Sequence, residues 1–296
     1  MSLPRNRSGA WRALALCLLS TAAAAPAPEN ALDELVANYL ARRPSHSLHA
    51  GMSLTEARQM QDRFVARLKP SLGPTVGYKA GLINKAAQRS LGLTNPVSGV
   101  LLEKMLLPDG SRVPVNFGAV PMFEADLVVV VRDEGVHSAT TLLEAARHLS
   151  AVVAFIELPD RIAAADEKID GNLITAMNVS ARLGVLGGRR PVEATQEWLE
   201  AFANMTVTAT DETGAQLAQA KGSALMGNPV QVVLWLARDL AERGLRLKAG
   251  DMLSLGTFAP AVPPKAGQTV TVKYAGLPGG LFSASVHFVA AESGTR

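Results

Sequence analysis

Apolar residues recur at helical spacing at the start of the folded part of the chain. Over residues 31–41, Leu32, Leu35, Val36 and Leu40 share a face, with Asn30 placed as N-cap. Ser53-Leu-Thr-Glu56 reads as a capping box, and Ala57, Met60, Phe64, Val65 and Leu68 carry an apolar stripe as far as Pro70. From Thr75 the pattern breaks into short segments separated by Gly and Pro. Residues 115–131 read as strand, with Val128 to Val131 buried on both sides, followed by a helix over 141–149 and a strand over 151–158. A short helix is expected over 198–203, and a hairpin over 205–220 that turns at Asp211-Glu-Thr-Gly214. Residues 229–243 form a strong helix closed by Gly244, and 251–288 alternates strand and turn. Two helices before a strand-rich body with inserted helices predict an α+β fold rather than a doubly wound sheet. No Gly-x-Gly-x-x-Gly or Walker sequence supports nucleotide binding.

Residues 1–27 stand apart. Arg5, Arg7 and Arg12 form a basic region, 13–19 a short apolar run and 22–25 a small-residue patch, the order of a secretory signal peptide. The apolar run is too short to span a bilayer. An uncleaved anchor is the alternative, and Leu16 stands before Cys17 where lipidation needs a small residue. Export, most simply to a periplasm, with no stable membrane insertion after leader removal, is the expectation. The leader also changes the charge balance. The whole chain has 29 Lys+Arg against 26 Asp+Glu, and the three leader arginines account for the difference, so the remainder is close to neutral. That gives no nucleic-acid footprint. Cys17 is the only cysteine, so the chain beyond the leader has no thiol nucleophile, disulfide or Cys-type zinc site.

Pro121-Met-Phe-Glu-Ala-Asp-Leu-Val-Val carries the most chemistry. Glu124 and Asp126 are two apart, so in a strand their side chains leave the same face, at the edge of a run of valines. A second apolar segment, Val152-Val-Ala-Phe-Ile-Glu157, ends in a third acid. Three carboxylates converging near apolar surroundings repel one another and raise one another's pKa, a conflict that a hard divalent cation resolves. By spacing alone, E-x-D more often marks a solvated strand edge.

Further segments bear on that choice. Val76-Gly-Tyr-Lys-Ala-Gly-Leu-Ile-Asn-Lys85, with Pro96-Val-Ser-Gly-Val-Leu-Leu after it, resembles the G-Y-K-x-G-L-(T/S)-x-K stretch of the 2-keto-4-pentenoate hydratases and oxalocrotonate decarboxylases, within the fumarylacetoacetate-hydrolase superfamily. Glu124-x-Asp126 is similar to the family's E-x-E, and Glu157-Leu-Pro-Asp-Arg161 to its E-(I/V)-V-D-(S/R)-R. Ala176-Met-Asn-Val-Ser180 resembles A-D-N-x-S, and Gly227-Asn-Pro229 with Trp235-Leu-Ala resembles G-H-P with W-L-A. Leu247-Lys-Ala-Gly-Asp251 and Leu255-Gly-Thr257 complete the order, so the likeness spans roughly residues 30 to 290.

The resemblance implies a fumarylacetoacetate-hydrolase-like mixed β-roll over 96–296, with a smaller N-terminal helical region over 28–95. It also implies a Mg²⁺ or Mn²⁺ site held by Glu124, Asp126 and Glu157, with Lys79 beside it as the catalytic group. Asn178, Ser180 and Thr257 are then hydrogen-bonding residues for a small-molecule 2-keto acid, in a homo-oligomer. Three readings follow: hydration of a 2-hydroxy-2,4-dienoate to a 4-hydroxy-2-keto acid, decarboxylation of a 2-keto dicarboxylate, or non-catalytic keto-acid binding in the periplasm. Four positions depart from the pattern: Asp126 for Glu, Pro159 after Glu157, Met177 for an acid, and Asn228 for His. None of His46, His49, His137, His148 or His287 sits in the context of a His–Glu hydrolytic pair, and each is expected to be structural or solvated.

Overall fold

The computed structural model describes Met1, residues 29–46 and residues 51–292. The expected signal peptide lies outside the described residues apart from Met1, and His49 lies outside them too. Helix α1 (Glu29–Ala41) begins before Asn30, so Asn30 is its second residue and not its cap. Its buried face is Leu32, Leu35 and Tyr39, whereas Leu40 is exposed. Tyr39 sets its ring edge-on to Phe64 of α2 (Leu54–Leu72), with centroids 5.4 Å apart. The capping box of α2 forms as expected: Glu56 N donates to Ser53 Oγ, and Ser53 N donates to Glu56 Oε2 at 2.7 Å. The helix runs through Pro70 to Leu72, because a proline in the last turn removes only one intrahelical bond.

A seven-stranded mixed sheet forms the body, in the order β2-β1-β10-β5-β6-β7-β3. Its strands are β1 (Thr75–Gly81), β2 (Val97–Leu102), β3 (Leu106–Pro108), β5 (Glu124–Val131), β6 (Leu149–Leu158), β7 (Leu183–Pro191) and β10 (Met252–Ser254). A five-stranded sheet, β4-β12-β11-β8-β9, packs against β6 and β7. It comprises β4 (Ser111–Pro114), β8 (Thr206–Thr210), β9 (Gln216–Lys221), β11 (Thr269–Ala275) and β12 (Phe282–Val289). Five further helices are inserted: α3 (Lys85–Ser90), α4 (Leu142–Arg147), α5 (Gly171–Ala176), α6 (Gln196–Asn204) and α7 (Pro229–Glu242). The α+β expectation holds. So does the hairpin expected over 205–220, realised as β8 and β9.

Two further expectations differ. Strand β1 lies inside the region expected to be helical over 28–95, yet it pairs with β2 and β10 in the seven-stranded sheet. The helical expectation followed α1 and α2 past the point where the chain enters the sheet. Of the strand expected over 115–131, only Glu124–Val131 is regular. Gly118 and Pro121 interrupt the rest, and Asp160 ties it down by accepting from Ala119 N at 2.9 Å and Val120 N at 2.7 Å. Among the described residues, no helix is long and apolar enough to cross a membrane.

Candidate active site

Strand alternation places the acids. In β5, Ala125, Leu127, Val129 and Val131 enter the main core, so Glu124, Asp126, Val128 and Val130 face the other way. Glu124 lies directly opposite Glu157 of β6, and Val128 opposite Val153. Ser254 of β10 is the partner of Val128 on one side and of Lys79 on the other. Partners across a ladder share a face, so Lys79, Ser254, Asp126, Glu124 and Glu157 all stand on the same face of the sheet. The sequence placed Glu124 and Asp126 together. Pairing adds Glu157 and Lys79.

Lys79 and Glu157 are both about 4% exposed, and the lysine Nζ forms an ion pair with Glu157 Oε1. The same Nζ donates to the carbonyl of Val179 at 2.9 Å. Burial, and then the Glu157 charge, push Glu124 up to about 8, with Lys79 pulling the other way. Burial and Glu157 likewise raise Asp126 to about 7, opposed by its hydrogen bonds from Ser254 and Leu127. Lys79 thus faces three carboxylates, and the raised values record burial first and the excess of negative charge second.

Asp126 is the most withdrawn of the three acids and is fully buried. Its Oδ1 accepts from Gly256 N at 2.9 Å and from Leu127 N, and its Oδ2 accepts from Ser254 Oγ. A glutamate would project one methylene further than this short arm. Glu124 and Glu157 line a cavity of about 720 Å³, and Asp126 does not. With Lys79 set on Glu157, no three carboxylate, imidazole or thiol groups among the described residues already converge as ligands.

The remaining expected residues divide. Ser180 and Thr257 line the cavity with Lys79. The Thr257 hydroxyl donates to Ala259 O, and its closeness to Glu124 works against the rise in that carboxyl's pKa. Asn178 does not line it. Its Oδ1 accepts from Val100 N at 2.7 Å and its Nδ2 donates to Val100 O at 2.9 Å, so both ends of the amide are committed to strand β2. This corrects its expected contact with substrate: Asn178 is a clamp. It opens a run of three non-glycine residues, Asn178, Val179 and Ser180, at φ of 55°, 53° and 58°. Such backbone is costly and persists only where surroundings enforce it. It turns the Val179 carbonyl toward Lys79 and the Ser180 side chain toward the cavity. Gly99 makes room for it, because a Cβ there would stand 2.8 Å from Asn178 O.

Two of the departures from the motif are apolar or structural. Met177 is buried at the end of α5, outside the cavity lining. Asn228 caps α7 through Val230 N at 3.0 Å and donates to Leu199 O at 2.8 Å. Among the described residues no histidine lines the cavity. His137 is held between helix α7 and the following loop, its Nδ1 bonding Ala237 O and its Nε2 accepting from Leu247 N. His148 bonds Asp133 and His287 bonds Thr269. The sequence reading missed Ser254, which period-two spacing from Met252 would have turned inward, and Arg161, which also lines the cavity.

The family profile described as Fumarylacetoacetate (FAA) hydrolase C-terminal matches residues 78–280. The chain belongs to this family. It is 33% identical over 203 residues to the 2-keto-4-pentenoate hydratase of Paraburkholderia phymatum, a match covering 68% of this chain and 75% of that one. It is 29% identical to the 2-oxo-hept-4-ene-1,7-dioate hydratase of Escherichia coli, over 80% of this chain and 88% of the relative. Among solved structures, 4-oxalocrotonate decarboxylase from Pseudomonas putida G7, complexed with magnesium and adipate, superposes with a TM-score of 0.76 at 26% identity. That superposition covers 88% of this chain and 96% of the decarboxylase. The hydratase and decarboxylase branch expected from the ordered motifs is therefore the right one, and the mixed-sheet fold of the superfamily is shared.

Proposed function

We propose that the chain is a metal-dependent lyase of 2-keto acids that hydrates a 2-hydroxy-2,4-dienoate to a 4-hydroxy-2-keto acid. The observation that carries this is the facing pair Glu124 and Glu157, on one cavity wall beside a buried lysine, in a family with hydratases among its members.

The carboxylate set suits a hard divalent cation, Mg²⁺ or Mn²⁺: its donors are oxygens, and it holds more negative charge than Lys79 balances. Glu124 and Glu157 would hold the ion from the cavity wall, with Asp126 as the third ligand through Oδ2, which accepts one hydrogen bond and keeps a lone pair. The related decarboxylase structure with magnesium supports the choice of ion. Once bound, the ion supplies Lewis-acid polarisation of a 2-oxo group and charge stabilisation of an enolate.

The chain's own groups do the rest. With Glu157 taken as a ligand, the Lys79 side chain would be released from that carboxylate, and the Val179 carbonyl would keep Nζ at the site. There it hydrogen-bonds developing negative charge on the substrate's C2 oxygen and holds the proton that moves between oxygen and carbon. Ser180 and Thr257 orient the acid head. The C2 hydroxyl proton is delivered to carbon as the enol becomes a ketone, and water supplies hydroxyl to C4 and the other proton, so C3 and C5 each gain one hydrogen and the net change is one water gained. Decarboxylation of a 2-keto dicarboxylate is the second reading, favoured by the decarboxylase likeness over 88% of the chain.

Loss of the conjugated dienoate absorbance in the presence of Mg²⁺, without CO₂ release, tests the proposal. Glu124→Ala should abolish it while circular dichroism stays native. Saturable binding with no loss of chromophore sinks the enzyme reading, and activity that survives a chelator sinks the metal. We further propose that the protein works as a homo-oligomer outside the cytoplasm. The leader-like residues 1–27 motivate the compartment, and cell fractionation with sedimentation tests both.

A further inference from the structure

We infer that Arg161 makes this cavity a site for dicarboxylic substrates, a 2-hydroxydienoic acid bearing a second carboxylate at its far end. The inference rests on the keto-acid reading above and sharpens it. Pairing between the β5 and β6 segments does not stop where the regular strands end. Beyond the Glu124–Glu157 pair, Met122 N donates to Pro159 O at 3.0 Å, Pro121 bridges Asp160, and Arg161 N donates to Val120 O at 3.3 Å. Every one of these pairs keeps the same register, so the ladder continues without a slip. Alternation then turns Glu157, Pro159 and Arg161 to one side, beside Met122 and Glu124, and all five line the cavity. At a rise of about 3.3 Å per residue, the Arg161 backbone stands about 13 Å along that wall from Glu157. The acid-head site and the guanidinium occupy two ends of one surface.

The guanidinium is available. Asp160, its neighbour in sequence, gives its oxygens to Ala119 N and Val120 N. Among the described residues, the one polar contact of the Arg161 side chain is the Met122 thioether, at 3.9 Å. Lys79, the other cation of the cavity, is engaged with Glu157 and Val179. A guanidinium presents a planar fork matched to a carboxylate, which an ammonium does not. Leu82, Ile83, Ile169 and Ile174 are apolar wall suited to the intervening carbon chain. A volume of about 720 Å³ leaves room for a chain longer than the keto-acid head. Arg161 is solvent-exposed at the rim, so the second carboxylate stays partly hydrated and the effect falls on KM more than on kcat.

The test compares 2-hydroxyhexa-2,4-dienedioate with 2-hydroxyhexa-2,4-dienoate on the Mg²⁺-loaded protein. The dienedioate should show a KM lower by about tenfold, equivalent to about 1.4 kcal/mol. Arg161→Gln should raise that KM by about tenfold with kcat within about twofold, and Arg161→Lys should recover part of the loss. Equal KM values in the wild type, or an unmoved ratio in Arg161→Gln, overturn the inference. Calorimetry with adipate and hexanoate gives a readout independent of turnover, in which adipate should bind more tightly and Arg161→Gln should erase the difference. That result without turnover of either dienoate would uphold Arg161 and defeat the hydratase reading. Turnover of the dienoates with no preference for adipate would defeat the Arg161 assignment alone.

Discussion

Removing the divalent ion should make the protein's stability fall as pH rises, opposite in sign to most carboxylate-driven pH dependence. Glu124 is raised from 4.5 to about 8 and Asp126 from 3.8 to about 7, in both cases first by burial and then by the charge of Glu157. A carboxyl whose folded value exceeds its unfolded one binds its proton more tightly in the fold. Its stabilisation is complete below the unfolded value and is lost as pH climbs through the folded one. The window therefore runs from about pH 4 to about pH 8. Counting a single proton retained by the folded site, each pH unit inside the window costs about 1.4 kcal/mol. Between pH 5 and 7 that is about 3 kcal/mol, and at about 2–4 °C per kcal/mol for a domain of this size the Tm should drop by roughly 6–12 °C. Thermal unfolding in a chelator, followed by circular dichroism at pH 5, 6 and 7, measures it. With saturating Mg²⁺ the drop should disappear, because the ion takes up the charge that protons had neutralised, so its stabilising effect widens with pH. Glu124→Gln should flatten the chelated profile. A chelated Tm that rises or stays level from pH 5 to 7, or an Mg²⁺ shift that does not depend on pH, refutes the reasoning.

Three further outcomes follow. Lys79→Met should lower kcat by about a hundredfold or more, as expected for loss of a positioned proton donor, while Mg²⁺ binding by calorimetry tightens because no lysine competes for Glu157; retention of kcat refutes its role. Asn178→Ala should destabilise the protein by about 1–3 kcal/mol, because the Val100 N–H and C=O lose their partners while remaining buried, and denaturant unfolding reads this. Gly99→Ala should lower kcat more than it lowers stability, because its methyl meets Asn178 O and shifts the turn that holds Lys79; a fully active variant would show the turn to be pliable.

How much of this was legible in the sequence depended on the range of the determining contact. The α2 capping box, the α7 helix closed by Gly244 and the β8–β9 hairpin all have local causes, and local pattern found them. The end of the helical region was misplaced because β1 owes its strand state to pairing with β2 and β10, which come later in the chain. The carboxylate pair was visible from two-residue spacing, but its relation to Glu157 and Lys79 required strand order. Asn178 was misassigned for a related reason. An amide in a motif near substrate reads as a ligand contact, and only the position of Val100 shows that both its ends are taken. Arg161 was written inside a motif already noticed, and Ser254 stands next to one. Counting in steps of two from Met252 and from Glu157 would have brought both onto the cavity face.

Asp126 connects these points. A glutamate there would reach toward the cavity from the same face as Glu124. The shorter arm instead falls within reach of Gly256 N and Ser254 Oγ, both from the segment that carries Thr257. That segment also shapes the cavity through Gly256, Thr257 and Phe258, so the acid most removed from the cavity fixes part of its wall. Glu124 and Glu157 are left as the pair open to it, and Lys79 sits on Glu157 until another cation competes. Under the proposed metal assignment, ion binding and the freeing of the lysine would be one event. Metal affinity and the position of Lys79 should change together in any variant that weakens the Ser254–Asp126–Gly256 support, without a change in the residues that touch substrate.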